Sequence, residues 1–346
     1  MIDISKVDTN FVVNTKIKKD DIKFYNIDDA PFKIYGVFRE NGKYRRMPEA
    51  VAKNVSHGVN VLHTNTAGGR VRFVTDSSYV AIYAEMDGLG KMPHFAFSGS
   101  IGFDMYVDNV YSNTFVPPIQ VENGFESLHD FKTNEKRNIT INLPLYSNVK
   151  TLYIGLQKDA SLSAHDDYKT EKPVVYYGSS ITQGGCASRP GMSYQAIVSR
   201  KLDCNHINLG FSGNARAEDV MIDYVKSLDM SVFVYDYDHN APNVEHLRNT
   251  HEKMFKAVRA AHPDLPIIIM PRPKGMLTEE EQERRDVIET TYKNAIESGD
   301  KNVYYISGEE LTELCGNEGK VDGTHPTDFG FASMANAVCR VIKDLI

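Results

Sequence analysis

The spacing of apolar residues changes character about halfway along the chain. Up to about residue 165 they come in short runs rich in β-branched and aromatic residues, VNVLHT, RVRFVTD, YVAIYAEM, FDMYVDNVY, ITINLPL and VKTLYIGL, which are strand signals. Turn-forming stretches separate them, among them Ala67-Gly68-Gly69, Met86-Asp87-Gly88 and Glu122-Asn123-Gly124. A strand-turn rhythm without long helical periods predicts an all-β sandwich, jelly-roll-like, over residues 1–165.

The stretch DDYKTEK, Asp166 to Lys172, is polar and charged, and Pro173 then opens a different pattern, which places the start of a second domain, 166–346, at that segment. Apolar runs VVYYG, HINLG, VFVYDY, IIIM and VYYIS alternate there with the helical periods GMSYQAIVSRKL, AEDVMIDYVKSL, VEHLRNTHEKMFKAVRAAH and TEEEQERRDVIETTYKNAIES. That order predicts βαβ units, hence a three-layer α/β/α domain around a parallel sheet, closed by a helix from about Thr327 to Leu345.

Composition narrows the function classes. With 346 residues there is room for about two domains of ordinary size. A net charge of −7 argues against nucleic acid as a partner, because phosphate backbones are met by concentrated Lys and Arg. The opening MIDISKVDTNFVV has no apolar run of a secretory leader, and no segment reaches the ~20 apolar residues of a membrane span, so a cytoplasmic protein with no membrane partner is expected. Cys186, Cys204, Cys315 and Cys339 have neither CxxC spacing nor a neighbouring His cluster, so free thiols are expected, with no metal site and no cofactor.

In an open parallel sheet ligands bind beyond the carboxyl ends of the strands, so the residues that follow each apolar run are the candidates for chemistry. The first run leads into Gly178-Ser179-Ser180-Ile181-Thr182-Gln183-Gly184-Gly185, a tight turn able to present a serine hydroxyl at a helix start. The second leads into Asn208-Leu209-Gly210-Phe211-Ser212-Gly213-Asn214, and the third into Asp236-Tyr237-Asp238-His239-Asn240. Val321-Asp322-Gly323-Thr324-His325-Pro326 precedes the last helix, and an Asp and a His three apart on one loop can hydrogen-bond to each other.

Taken in order, these blocks resemble the SGNH (GDSL) hydrolase superfamily, with its serine, glycine, asparagine and DxxH blocks. Gly102-Phe103-Asp104-Met105-Tyr106 is similar to the GxDLY signature of a β-domain that precedes some of these hydrolases, in a carbohydrate-esterase-like branch, and GSSIT followed by GGCASRPG matches that branch too. The resemblance implies a serine esterase in which Ser180 is the nucleophile, His325 the general base and Asp322 the residue that orients it. It implies an oxyanion hole from the backbone N–H groups of Ser180 and Gly213 and the side-chain amide of Asn240. Two departures stand out: Ser179 replaces the aspartate of the GDS block, and the GxND block reads His239-Asn240-Ala241.

Plainer readings stay open at this point. Ser180 can be a helix N-cap, the Asp322–His325 string a turn before a helix capped by Thr327, Asn240 a turn former beside Pro242, and Gly213 a residue chosen for positive φ. Arg189, His239 and Arg272 lie where a donor could reach a substrate, or are ordinary loop and surface residues. Cys186 reads as packing or pocket wall, and His63, His94, His206, His251 and His262 receive no role. The expected substrate is a short acyl ester, an O-acetyl ester of a sugar or oligosaccharide first, with a thioesterase or lysophospholipase-like acylhydrolase and a decayed carbohydrate-binding protein as the alternatives. An oligomer is compatible with the sequence.

Overall fold

Residues 17–346 are described by the computed structural model, so the N-terminal stretch MIDISKVDTNFVV lies outside the described residues. Two antiparallel sheets form the first half. One has the order β1 (Ile22–Asn26), β11 (Asn148–Gln157), β6 (Tyr79–Gly88) and β9 (Gly124–Asp130). The other runs β12 (Leu162–Ser163), β5 (Arg70–Thr75), β10 (Arg137–Asn142), β7 (Phe103–Val107) and β8 (Val110–Phe115), with β2 (Lys33–Tyr35) also paired to β5. A two-residue turn, Asp108-Asn109, joins β7 to β8, and both residues take the positive φ that such a tight hairpin requires (49° and 64°). The sheets face each other through Val71, Phe73, Ile139 and Ile141 on one side and Val80, Ile82, Leu152 and Ile154 on the other, as period-2 patterning requires. The expected antiparallel sandwich is therefore present.

Two sequence expectations fail locally. VNVLHT is not a strand but part of a helix, α2 (His57–Leu62), which follows α1 (Glu49–Val55). Ser56 starts it by accepting the Val59 N–H at 3.2 Å. A strand would place Val59 and Val61 on one face, whereas the helix buries Val59 with Leu62 packed nearby and leaves Val61 53% exposed. Met86-Asp87-Gly88, expected as a turn, completes β6 where the pairing with β11 shifts register.

The second half is a five-stranded, all-parallel sheet, order β14 (Cys204–Gly210), β13 (Thr170–Gly178), β15 (Val232–Asp236), β16 (Ile267–Ile269), β17 (Val303–Tyr305). Alternate strand residues supply two cores. Val175, Tyr177, Phe233, Tyr235, Ile267 and Ile269 meet α6 (Asp219–Lys226), α7 (Val244–Ala261) and α8 (Glu279–Glu297). Val174, Tyr176, Val232, Val234 and Ile268 meet α5 (Tyr194–Leu202) and α10 (Asp328–Ile342). Met47, Ala52 and Val59 of the first half join the former cluster, so α1 and α2 cover part of the parallel sheet. The strand order reverses between β13 and β15, the switch point at which a crevice opens beyond the strand ends.

Buried arginines fasten the two halves together. Arg46, 2% exposed, donates to the carbonyls of Leu62 and Asn65 in the first half and of Asn208 and Gly210 at the end of β14. Burial pulls its guanidinium down to about 9, which leaves it charged at neutral pH. Arg70 points away from the sandwich core and donates to the His206 carbonyl and the Asn205 side chain.

Candidate active site

Ser180 sits at the start of α4 (Ser180–Gln183), directly after the carboxyl end of β13 and at the switch point. The cap of that helix is Ser179, whose hydroxyl accepts the Ile181 N–H at 3.2 Å. The residue standing where the resemblance expects aspartate thus takes the capping role, and the Ser180 hydroxyl is left free for other work. Thr182 anchors the turn from below by donating to Asp236 at 2.7 Å, at the end of the neighbouring strand β15.

The long-range contact is the decisive one. Ser180 Oγ lies 2.9 Å from His325 Nε2, and His325 Nδ1 lies 2.7 Å from Asp322 Oδ2. With its Nδ1–H given to the carboxylate, the neutral imidazole keeps Nε2 as an acceptor for the serine proton. The other Asp322 oxygen accepts the backbone N–H groups of Thr324 (3.0 Å) and His325 (2.8 Å). Burial pushes the Asp322 carboxyl up, but these hydrogen bonds from His325 and Thr324 outweigh it and hold the group at about 2. The loop is a turn as well, with Thr327 capping α10, so the plainer reading and the chemical one coexist.

The loops that carry Gly213 and Asn240 are tied to each other. Asn240 Oδ1 accepts the Ala215 N–H at 3.2 Å, which ties the loop after β15 to the loop after β14 and orients the amide. Among the described residues, the N–H groups of Ser180 and Gly213 and the Asn240 amide nitrogen have no protein acceptor. Gly213 has φ +69° and open space where a side chain would stand. Gln183 connects the loops: its amide donates to Asn65 (3.1 Å) and the Leu145 carbonyl (3.2 Å), and its carbonyl accepts the Ser212 N–H at 3.0 Å.

Arg189 and Arg272 already have partners. Arg189 reaches into the first half, where Asp104 of the Gly102–Tyr106 motif binds it at 2.7 Å and Tyr106 also contacts it. Asp104 is fully buried and further accepts the Gly191 N–H (2.9 Å) and the Asn142 amide (2.8 Å). Two stretches singled out separately in the sequence are therefore one interdomain clasp. Arg272 forks onto Asp238 (2.8 and 2.9 Å) and reaches Glu281 at 2.7 Å. His239 is half-buried near Asp238, Arg272 and His325; desolvation, with Asp238 opposing, depresses its imidazole to about 4, and its buried Nε2 has no hydrogen-bond partner.

The sequence does not reveal what the first half contributes. His94, passed over for want of a sequence partner, places Nε2 3.8 Å from Asp322 Oδ2 and its ring 5.8 Å from that of His325. Tyr146 donates to the Ser180 carbonyl at 3.3 Å. Cys186 lies beside them, and burial, together with the Asp322 charge, raises its thiol to about 11, so it stays protonated and a poor nucleophile at neutral pH. His94, Cys186 and His325 bring ligand atoms within 4.8 Å of one another, a spacing that could hold a metal. Both nitrogens of His325, however, are already engaged by Ser180 and Asp322.

Two family profiles match the chain: the GDSL-like Lipase/Acylhydrolase family over residues 171–343, and the N-terminus of the Esterase_SGNH_hydro-type over residues 22–162. No curated protein matches. Among solved structures, a protein from Bacteroides ovatus ATCC 8483 assigned to the GDSL-like lipases is 27% identical, with a TM-score of 0.83 over 94% of this chain and 98% of its own. The salicylyl-acyltransferase SsfX3 from a tetracycline biosynthetic pathway is 18% identical, with a TM-score of 0.75 over 95% and 98%. A family two carbohydrate esterase from Clostridium thermocellum, in complex with cellohexaose, is 15% identical, with a TM-score of 0.58 over 81% and 93%; these last two likenesses concern the fold.

Proposed function

On the premise that this chain belongs to the GDSL-like lipase/acylhydrolase family and is a carboxylic ester hydrolase, we propose that Ser180, His325 and Asp322 remove short acyl groups, acetate first, from the hydroxyls of a carbohydrate. The observation that carries the reading is the unbroken relay from Ser180 Oγ through His325 to Asp322, at 2.9 and 2.7 Å, beside donors left without acceptors. Ser180 Oγ attacks the acyl carbonyl while its proton passes to His325 Nε2, and Asp322 stabilises the imidazolium. The N–H groups of Ser180 and Gly213 and the amide of Asn240 receive the oxyanion. His325 then protonates the departing sugar hydroxyl, and water, deprotonated by the same histidine, releases the acid.

The short-acyl preference is supported by polar surroundings, since the segments that meet at Ser180 bring His94, Tyr146 and His325. The sugar preference draws on the fold shared with the carbohydrate esterase and on the placement of the sandwich against the triad. The test is a series of p-nitrophenyl acetate, butyrate and octanoate, followed by acetylated xylo-oligosaccharides. An open apolar groove would add up to ~0.8 kcal/mol of binding per methylene, so kcat/KM rising with chain length would overturn the acetyl reading in favour of a thioesterase or lysophospholipase-like enzyme. Ser180→Ala and His325→Ala should each lower acetate release by a factor of 10³ or more, and normal turnover in either folded variant would remove the triad.

A further inference from the structure

One small pocket adjoins the triad loop. It has a volume of about 80 Å³ and is lined by His239, Arg272, Lys274, Glu281, Lys320 and Thr324, among others. Thr324 directly precedes His325, and His239 precedes Asn240, so the pocket lies on the side of the site formed by the loops after β15 and β16. Its charge is unbalanced. Arg272 and Lys274 share the carboxylate of Glu281, at 2.7 Å for Arg272 and 2.8 and 2.7 Å for Lys274, and the Thr278 N–H occupies it further at 2.8 Å. Arg272 is also neutralised from behind by Asp238. Lys320 has no hydrogen bond and no ion pair among the described residues. It is partly buried, and burial and the charge of Lys274 lower its ammonium below the usual lysine range, with Glu281 opposing and Arg272 adding to the fall. A half-desolvated cation next to other cations is an unfavourable arrangement that an anion would relieve. The Nε2 of His239, buried in the same wall, adds a polar atom without a hydrogen-bond partner.

We propose that this pocket binds a carboxylate on the alcohol side of the ester, so that the enzyme takes acetylated acidic sugars, with a uronic acid unit set against Lys320. The inference rests on the esterase reading of the same site. A carboxylate fits the volume, and it can take a charge-assisted hydrogen bond from Lys320 while the chain it belongs to lies across Ser180.

Two measurements test it. The first is the ratio of kcat/KM for O-acetylated galacturonate oligomers to that for O-acetylated xylo-oligomers. It should exceed one by about tenfold at low salt, fall as salt rises, drop toward one in Lys320→Gln, and recover in Lys320→Arg, which keeps the charge. The second uses Ser180→Ala and needs no turnover: calorimetry should detect glucuronate binding and none of glucose, with the glucuronate signal lost when Lys320→Gln is added. A ratio near one, or glucuronate binding that Lys320→Gln leaves intact, overturns the proposal even if the esterase reading stands. Absence of ester turnover in the wild-type enzyme, with glucuronate binding retained, would remove the esterase reading and leave the pocket assignment intact.

Discussion

Replacing Arg189 with Met tests whether the Gly102–Tyr106 motif works as a clasp between the halves of the molecule. The substitution keeps most of the packing volume but leaves Asp104, whose side chain is 0% exposed, with only the neutral donors of Asn142 and Gly191. Burial already holds that carboxyl above the usual carboxylate range, with the Asn142 amide and Arg189 acting against it. Breaking a buried pair from one side costs about 3–5 kcal/mol. Unfolding entropy of ~2.1 cal/mol/K per residue, taken over 346 residues, makes that a fall in Tm of about 4–7 °C if the chain melts as one unit. The deficit has a definite pH dependence. Without Arg189 the folded pKa of Asp104 rises further above its unfolded value, so the folded state binds the extra proton. The deficit is then small near the ordinary carboxylate pKa and grows as pH rises toward the folded pKa. Differential scanning calorimetry at pH 5 and 7.5 reads both effects, and Asp104→Asn added to Arg189→Met should restore part of the loss. A single variant that melts within about 1 °C of wild type at pH 7.5, well below the shift expected by size scaling, would refute the clasp, as would a deficit independent of pH.

Asn240→Ala should lower kcat for p-nitrophenyl acetate by roughly 10²–10³ with little change in Tm, the usual cost of one oxyanion donor; an unchanged kcat would take Asn240 out of the hole. Burial pushes the Asp236 carboxyl up to about 8, against the Thr182 hydrogen bond and with Asp238 adding to it, and its Oδ1 has no partner. Because the folded pKa is raised, the stability tied to that proton is complete below about pH 4 and lost as pH rises toward 8. Asp236→Asn should therefore gain stability over wild type across that window, on the order of 1–3 kcal/mol, and level off above it; thermal melts from pH 4 to 9 check the sign. His94→Ala should reduce kcat/KM for acetylated oligosaccharides more than for p-nitrophenyl acetate, because His94 is 39% exposed at the triad and belongs to the sandwich; equal losses on both substrates would make it a structural residue only.

Local pattern decided much of this protein. Short β-branched and aromatic runs set between turn residues specified most of the sandwich strands, and apolar runs such as VVYYG and IIIM specified the parallel ones, because such side chains suit a pleated, buried surface. The spacing of Asp322 and His325 was readable as well: three residues on one loop are neighbours whatever the remaining chain does. VNVLHT misled because its apolar content suits a strand, while the cap at Ser56 and a core belonging to the other half of the molecule make it helical. Ser180 meeting His325 across 145 positions, Asp104 clasping Arg189 and His94 arriving beside Asp322 were decided by tertiary structure alone. Each joins groups far apart in the chain, and such contacts depend on how sheets and helices stack. A histidine or an arginine carries the same local signal whether it faces water or a buried carboxylate, and only the packed fold chooses between them.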